Sequence, residues 1–469
     1  MARVVIVGGG PGGYEAALVA AQIGADVTLV DSDGLGGSAV LTDCVPSKAF
    51  ISVGEILQVF RDSGQLGVRS EGRIPASIEL GINLTDVNSR ILGLAAAQSR
   101  DIAVRLAGEG VRVVRGIGRL DGPDAVVALV DGRDLRLEAD LILVATGASP
   151  RRLPQAEPDG ERILTWEQIY DLRELPDHLV VVGSGVTGAE FASAFNAVGC
   201  EVTLVSSRDR VLPGEDADAA AVLEEVFAQR GVAVIPRARA ISARRSADGV
   251  EVGLADGRTV VGTHCLMAVG SVPNTTRIGL EDAGVALDER GFIAVDRVSR
   301  TSRRGIYAAG DCTGVNMLAS VAAMQGRIAM WHALGDAVAP LDLDTVSGNV
   351  FTDPEIATVG VSQADVDAGR IRAETVIQPL ATNARAKMGE LRHGFVKLFC
   401  RPSTRIVVGG VVVAPRASEL IHPVSVAVAN KLTVDQLAGA FTVYPSLSGS
   451  VAEAARRLHA TGPQSPPQR

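Results

Sequence analysis

The chain has no paired cysteines. Its five (Cys44, Cys200, Cys265, Cys312 and Cys400) are isolated, odd in number and never in a Cys-x-x-Cys spacing. That argues against a disulfide framework and a cysteine-built zinc site, and suits a reducing cytoplasm, the expected localisation. A lysine or arginine block is also missing, and 45 basic residues stand against 54 acidic ones, a net charge of −9. Nucleic acid and anionic membrane surfaces are therefore not expected as partners. No uncharged apolar run approaches the ~18 residues of a spanning helix, so stable membrane insertion is not expected. Arg3 leads straight into the strand-like residues 4–7, and no signal peptide is expected ahead of the fold.

What remains is a long globular chain. At 469 residues it exceeds one core and should hold two to four domains. Hydrophobic residues make up 47 % and charged residues 21 %, without a fibrous or disordered bias. Residues 461–469 (TGPQSPPQR) carry three prolines in nine and are expected to be a disordered tail.

The chain contains its own duplication. VVIVGGGPGGYEAALVAAQIGADVTLVD, from Val4, aligns without a gap to LVVVGSGVTGAEFASAFNAVGCEVTLVS, from Leu179. Gly8, Gly10, Gly13, Glu15, Ala17 and Gly24 meet Gly183, Gly185, Gly188, Glu190, Ala192 and Gly199. Each copy predicts strand, glycine turn, helix, strand. The first glycine allows the tight turn, the second lets backbone approach a pyrophosphate, and the third lets helix pack on strand. Phosphate charge then meets the free N–H groups of a helix N-terminus. One such motif is weak, whereas two copies in the same context point to two dinucleotide sites.

The copies differ at the end of their second strand. Asp31 closes the first, and a carboxylate there suits two free ribose hydroxyls. Ser206 closes the second, followed by Ser207, Arg208, Asp209 and Arg210. Without a carboxylate a ribose 2′-phosphate is no longer repelled, and Arg208 or Arg210 can bind it. The alternative is two solvated loop arginines. The second site is thus expected to accept NADPH, without excluding NADH.

Further segments follow in order: GGSAVLTDCVPSK (36–48), LILVATGASP (141–150), LMAVGSVPN (266–274), IYAAGDCTG (306–314), FTDPEIATVG (351–360), NARAKM (383–388), GFVKLFC (394–400) and YPSLSG (444–449). With the two glycine turns they resemble the flavoprotein disulfide reductases, the lipoamide dehydrogenase-like class I pyridine nucleotide-disulfide oxidoreductases, over roughly residues 3–458. The resemblance implies an α/β fold with two Rossmann-type, doubly wound domains and a C-terminal α+β interface domain. Its expected boundaries are 1–150 with 272–345 for FAD binding, 151–271 for NAD(P) binding and 346–460 for the interface of a homodimer.

It also implies site residues. FAD is expected on Gly8, Gly10, Gly12, Gly13, Asp31, Ser32, Gly37, Ser38 and Lys48. Gly118 with Gly116, Ala145, Thr146, Gly147, Gly310, Asp311, Leu318 and Ala319 complete that set. The pyridine nucleotide is expected on Gly183, Ser184, Gly185, Gly188, Glu190, Ser206, Arg208, Arg210 and Gly270. Lys48 and Glu190 resemble the buried ion pair that the family places beside flavin N5, where it positions the nicotinamide. At that distance in sequence they can equally be surface residues.

Two departures from the pattern concern one half-reaction. The family has a cysteine where this chain has Ala39, leaving only Cys44, and disulfide exchange needs two sulfurs. Near the C-terminus the family has a histidine oriented by a glutamate, where this chain has Tyr444 and Gly449. Tyrosine's pKa of ~10 suits general-base work at neutral pH poorly beside histidine's ~6.5. The expected function is therefore transfer of electrons from NAD(P)H through FAD to a quinone-type small molecule, as in the family's NAD(P)H–quinone reductase branch. Cys44 would tune the flavin or merely fill space, and Tyr444 would line the acceptor pocket. A pyridine nucleotide transhydrogenase and a non-catalytic, redox-sensing flavoprotein are the alternatives; lipoamide dehydrogenase activity is not expected.

Overall fold

The computed structural model describes residues 1–70, 72–75 and 80–459, so the tail expected at 461–469 lies outside the described residues. The chain forms two compact units. The first comprises Met1–Phe50, Asn83–Leu175 and Met267–Asp342, and the second Ile51–Ile82, Pro176–Leu266 and Leu343–Arg469.

A five-stranded parallel sheet is the frame of the first unit, in the order Ile306–Ala308, Leu141–Val144, Arg3–Val7, Asp26–Asp31, Arg112–Arg115. Alternate side chains of Arg3–Val7 enter different cores. Val4 and Ile6 join Ala16, Ala20, Leu29 and Met330, while Val5 and Val7 join Val30, Ile142, Val144 and Ile306. Burial on both faces explains why the strand is continuously apolar instead of alternating. An antiparallel meander of Ile117–Leu120, Ala125–Val130 and Arg133–Glu138 belongs to the same unit.

Helix Pro11–Gln22 packs against helix Ala319–Ala333 at backbone distance. A Cβ built on Gly326 would lie 2.1 Å from the Gly12 carbonyl oxygen. The same contact carries an ion pair, with Arg327 donating to Glu15 Oε2 at 2.8 Å.

The duplication is structural as well as sequential. In the second unit, strand His178–Val182 pairs in parallel with Glu201–Val205, which pairs with Ala233–Ile235. Gly8 and Gly183 have φ of +106° and +113°, and Gly24 and Gly199 have +95° and +105°. Both turns thus use backbone that L side chains rarely adopt. Each feeds a 12-residue helix, Pro11–Gln22 or Val186–Ala197, capped by an extended glycine, Gly10 or Gly185.

The second unit also holds an antiparallel five-stranded sheet, ordered Ser347–Val350, Glu355–Gly360, Val407–Ala414, Phe395–Cys400, Glu374–Pro379. Its core joins Val396, Leu398 and Val412 to the helical residues Val424, Val434, Val451 and Ala454. Lys397, 1 % exposed, donates to Asp216 and Asp218 at 2.8 Å each. That anchors this sheet to the cap of helix Ala217–Gln229. The two Rossmann-type sheets and the α+β element match the fold class expected from the sequence.

The Gly12–Gly326 contact generates a prediction. Gly326→Ala should destabilise the protein by about 1–3 kcal/mol through overpacking, although alanine is the better helix former. Thermal unfolding reads this as a lower Tm, and an unchanged or higher Tm would show that the helices part without cost.

Candidate functional site

A cavity of about 660 Å³ opens at the carboxyl ends of the parallel strands in the first unit. Gly8, Gly10, Gly12, Asp31, Ser32, Gly37, Ser38, Gly118, Ala145, Thr146, Gly147, Gly310, Asp311 and Ala319 all line it, as do Ala39 and Cys44. The strand order places them there: Arg3–Val7 runs into the glycine turn, Leu141–Val144 into Ala145–Gly147, and Ile306–Ala308 into Gly310 and Asp311. A ligand at this edge of an open α/β sheet is the general expectation.

The walls are close backbone. A Cβ on Gly8 would lie 2.2 Å from the Ala145 carbonyl oxygen, and one on Gly37 would lie 2.7 Å from Gly10 Cα. No side chain caps the helix at Gly10. This cradle suits a pyrophosphate, and a buried polar orphan supports a bound group: Thr42 Oγ1 has no hydrogen-bond partner among the described residues.

Asp31 is already engaged by its own loop. Gly9 N–H donates to one carboxylate oxygen at 2.7 Å, while Asp33 and Gly34 N–H donate to the other at 3.1 and 2.6 Å. The carboxylate orients the turn and retains lone pairs toward the cavity.

Three of the acids lining this cavity, Asp43, Glu167 and Asp311, are held above their usual carboxyl range. Burial pushes the Asp311 carboxyl up to about 6, with Asp43 adding to the rise. Burial also raises Asp43, opposed by the Lys48 ammonium, and raises Glu167, opposed by Arg152. Gly310 N–H donates to Gln325 Oε1 at 2.9 Å, which holds the turn bearing Asp311.

Some expected residues are not among those lining the cavity. Gly13 is buried, and its Cβ would fall 1.8 Å from the Gly8 carbonyl oxygen. Leu318 caps helix Ala319–Ala333 while its neighbour Met317 faces the cavity. Lys48 lies on helix Cys44–Asp62. Thr42, Asp43, Asn274 and Met317 line the cavity without having been singled out by any motif. For Asp43 a signal existed, since it immediately precedes Cys44. Asn274 ties the closing turn together, donating to the Thr146 carbonyl at 3.0 Å and accepting from Ser149 at 2.8 Å. Gly270, at φ +94°, accepts from Arg151 N–H at 2.9 Å.

The second glycine turn has the geometry of the first with other side chains. Ser184 and Ser206, 5 % and 0 % exposed, share an Oγ–Oγ hydrogen bond of 2.7 Å. Gly185 leaves open space where its Cβ would be, and Gly188 is buried. Arg208 is exposed and Arg210 half-buried. Glu190, 4 % exposed, accepts from Phe351 N–H at 2.8 Å. Tyr444 is 86 % exposed, beside the equally exposed Phe441 and Val443. All five cysteines are thiols. No described helix is long and apolar enough to cross a membrane.

Comparison with known proteins agrees with this geometry. Residues 2–326 match the family described as pyridine nucleotide-disulphide oxidoreductase, and residues 346–455 match its dimerisation domain. The chain is 57 % identical over 468 residues to a Mycobacterium tuberculosis protein named NAD(P)H dehydrogenase (quinone), covering 98 % of this chain and 94 % of that one. It is 32 % identical over 460 residues to dihydrolipoyl dehydrogenase 2 of Haloarcula marismortui, covering 97 % and 96 %. The crystal structure of LpdA from Mycobacterium tuberculosis superposes with a TM-score of 0.93 at 57 % identity, over 98 % of this chain and 100 % of that one.

The raised Asp311 pKa sets a pH dependence. Ionisation is harder in the folded chain, so this group's contribution is favourable below the ordinary carboxyl pKa and is lost as pH rises through about 6. In flavin-free protein Asp311→Asn should therefore gain about 1–3 kcal/mol over the parent at pH 8, and nothing at pH ~3. Melting curves across that range test it; a gain independent of pH would refute the ionisation argument.

Proposed function

The chain belongs to the pyridine nucleotide-disulphide oxidoreductase family, and from that premise we propose an FAD-dependent NAD(P)H oxidoreductase that reduces a quinone-type acceptor without disulfide exchange. The observation that carries this reading is on the cavity wall. Ala39 and Cys44 both line it, so a methyl group stands where the family has its first redox cysteine. One thiol cannot form and break the disulfide that dithiol exchange requires.

The family implies FAD and a pyridine nucleotide. The residues fit FAD in the first cavity: the turn at Gly8–Gly12 for pyrophosphate, Asp31 for ribose, Asp311 for the ribityl chain, and Thr42 for an otherwise unmet polar contact. When bound, FAD supplies a redox centre that passes electrons singly or in pairs. Lys48 would offset negative charge in this unit, a role supported by its opposing the burial-driven rise of Asp43. In the second unit Phe351 N–H fixes Glu190 at the nucleotide turn, where the carboxylate would orient the nicotinamide. NADPH is the favoured donor, because Ser206 carries no carboxylate and Arg208 and Arg210 follow it. Overall, NAD(P)H, a proton and a quinone give NAD(P)⁺ and hydroquinone.

Residues 1–150 with 272–345 would form the FAD-binding domain, 151–271 the NAD(P)-binding domain and 346–460 the interface of a homodimer. The exposed Phe441, Val443 and Tyr444 support a second copy covering this segment. Tyr444 would then line the acceptor pocket and donate to a quinone oxygen. The absence of paired cysteines and basic blocks supports a cytoplasmic site of action.

An anaerobic experiment tests the reading. NADPH should bleach the flavin absorbance of the yellow protein, and a benzoquinone should restore it rapidly while oxidised lipoamide does not. Reoxidation by lipoamide would refute the half-disulfide argument, and failure of both NADPH and NADH to bleach the flavin would point to a non-catalytic flavoprotein.

A further inference from the structure

We propose that Ser193, Arg230 and Asp353 are positioning residues for the nicotinamide, acting through Glu190. This deepens the NAD(P)H reading above and rests on it for the role of Glu190. Its basis is one ridge of the second nucleotide helix, Val186–Ala197.

Glu190, Ser193 and Asn196 stand at i, i+3 and i+6 of that helix, so they follow one another along a single ridge. All three are tied to one connection. Phe351 N–H donates to Glu190 Oε1 at 2.8 Å, and Asp353 N–H donates to Ser193 Oγ at 3.2 Å. Both donors belong to residues 351–354, which join the antiparallel strands Ser347–Val350 and Glu355–Gly360. Arg230, at the C-cap of helix Ala217–Gln229, grips the same connection. Its Nη2 donates to Asp353 Oδ2 at 2.7 Å and its Nη1 to the Asp353 carbonyl at 3.3 Å. Asn196 Nδ2 closes the ring by donating to the Arg230 carbonyl at 3.2 Å. Thr352, 2 % exposed, stiffens the connection, its hydroxyl donating to the Pro354 carbonyl at 2.7 Å.

The duplication shows that the fold does not require this ring. The equivalent positions in the first copy are Glu15, Leu18 and Ala21, two of them apolar. Leu18 is buried in a hydrophobic core, and Glu15 is met by the Arg327 guanidinium. Of the two copies, only the second has the polar ridge.

A backbone N–H can aim a carboxylate only as firmly as the N–H is itself held. Here the donor is held two residues further on, by Ser193 and by the charge-assisted grip of Arg230 on Asp353. Loss of that grip frees the Phe351 amide to shift, and Glu190 shifts with it. A misplacement of ~1 Å can cost as much as 10²-fold in rate. The signature is slower flavin reduction at unchanged nucleotide affinity.

The test uses the flavin-loaded protein in a double-mutant cycle: parent, Arg230→Gln, Glu190→Gln and Glu190→Gln/Arg230→Gln. Anaerobic rapid mixing with NADPH reads the limiting rate of flavin bleaching. Calorimetry reads NADP⁺ affinity, hydrogen exchange reads protection of residues 351–353, and melting curves report folding. Arg230→Gln should bleach about tenfold more slowly, about 1.4 kcal/mol in barrier, and bind NADP⁺ within about twofold of the parent. Its residues 351–353 should exchange faster. In the Glu190→Gln background the same change should cost less than about twofold, because the group it acts through is gone. Full additivity, a loss of NADP⁺ affinity in place of rate, or an unchanged rate in folded Arg230→Gln would overturn the positioning role. Should Arg230→Gln not fold, Ser193→Ala decides: slower bleaching with intact NADP⁺ binding supports the role, and an unchanged rate overturns it. If NADPH and NADH both fail to bleach the parent, the oxidoreductase reading fails and takes this proposal with it. A parent that bleaches beside an equally fast Arg230→Gln refutes the proposal alone.

Discussion

The structure depends on one close approach, that of Gly13 to the Gly8 carbonyl oxygen, where a Cβ would lie at 1.8 Å. Helix Pro11–Gln22 can start directly over the end of strand Arg3–Val7 only because nothing separates them. The start of that helix is therefore aimed into the cavity with no side chain across it, which is what makes the turn receptive to phosphate. The contact propagates outward. Gly12 and Gly326 bring helix Ala319–Ala333 against the same helix, and the start of that second helix, at Ala319, then forms part of the cavity wall. Loss of the approach at Gly13 would therefore displace two walls of one site.

The duplication shows how a fixed backbone takes different duties through a few side chains. Glu15 and Glu190 hold equivalent positions, both nearly buried. Glu15 pairs with Arg327, a guanidinium that fastens two helices. Glu190 accepts from the Phe351 backbone N–H. Buried carboxylates need such partners, and the two copies meet that need with different groups.

Much of this was legible in the sequence, because both strands and turns are constrained by short-range sterics. The glycine spacing and apolar runs predicted the two strand–turn–helix–strand units, and the family resemblance added Thr146 and Asp311 to the site at Gly8. What escaped depended on where side chains point. Leu318 and Met317 are adjacent, and only the start of the helix at Ala319 decides that Met317 faces the cavity. Asp31 carried a ribose expectation, yet its three backbone donors arise from the path of Asp33 and Gly34, which no motif specifies. Asp43 passed unnoticed because its importance comes from burial beside Asp311 and Lys48, a property of the folded wall.

The same wall explains why losing one sulfur is compatible with keeping everything else. Removal of a thiol for a methyl at Ala39 changes neither backbone course nor cradle, since the glycine turn, the Asn274 clamp and the Asp311 turn are held by other bonds. A nucleotide cradle is therefore compatible with a wall that carries one sulfur instead of two. What remains at that end of the cavity is a lone thiol and a set of carboxyls that burial makes reluctant to ionise. Such a desolvated wall disfavours any group that must become anionic against it, because burial penalises the charged form of whatever lies there.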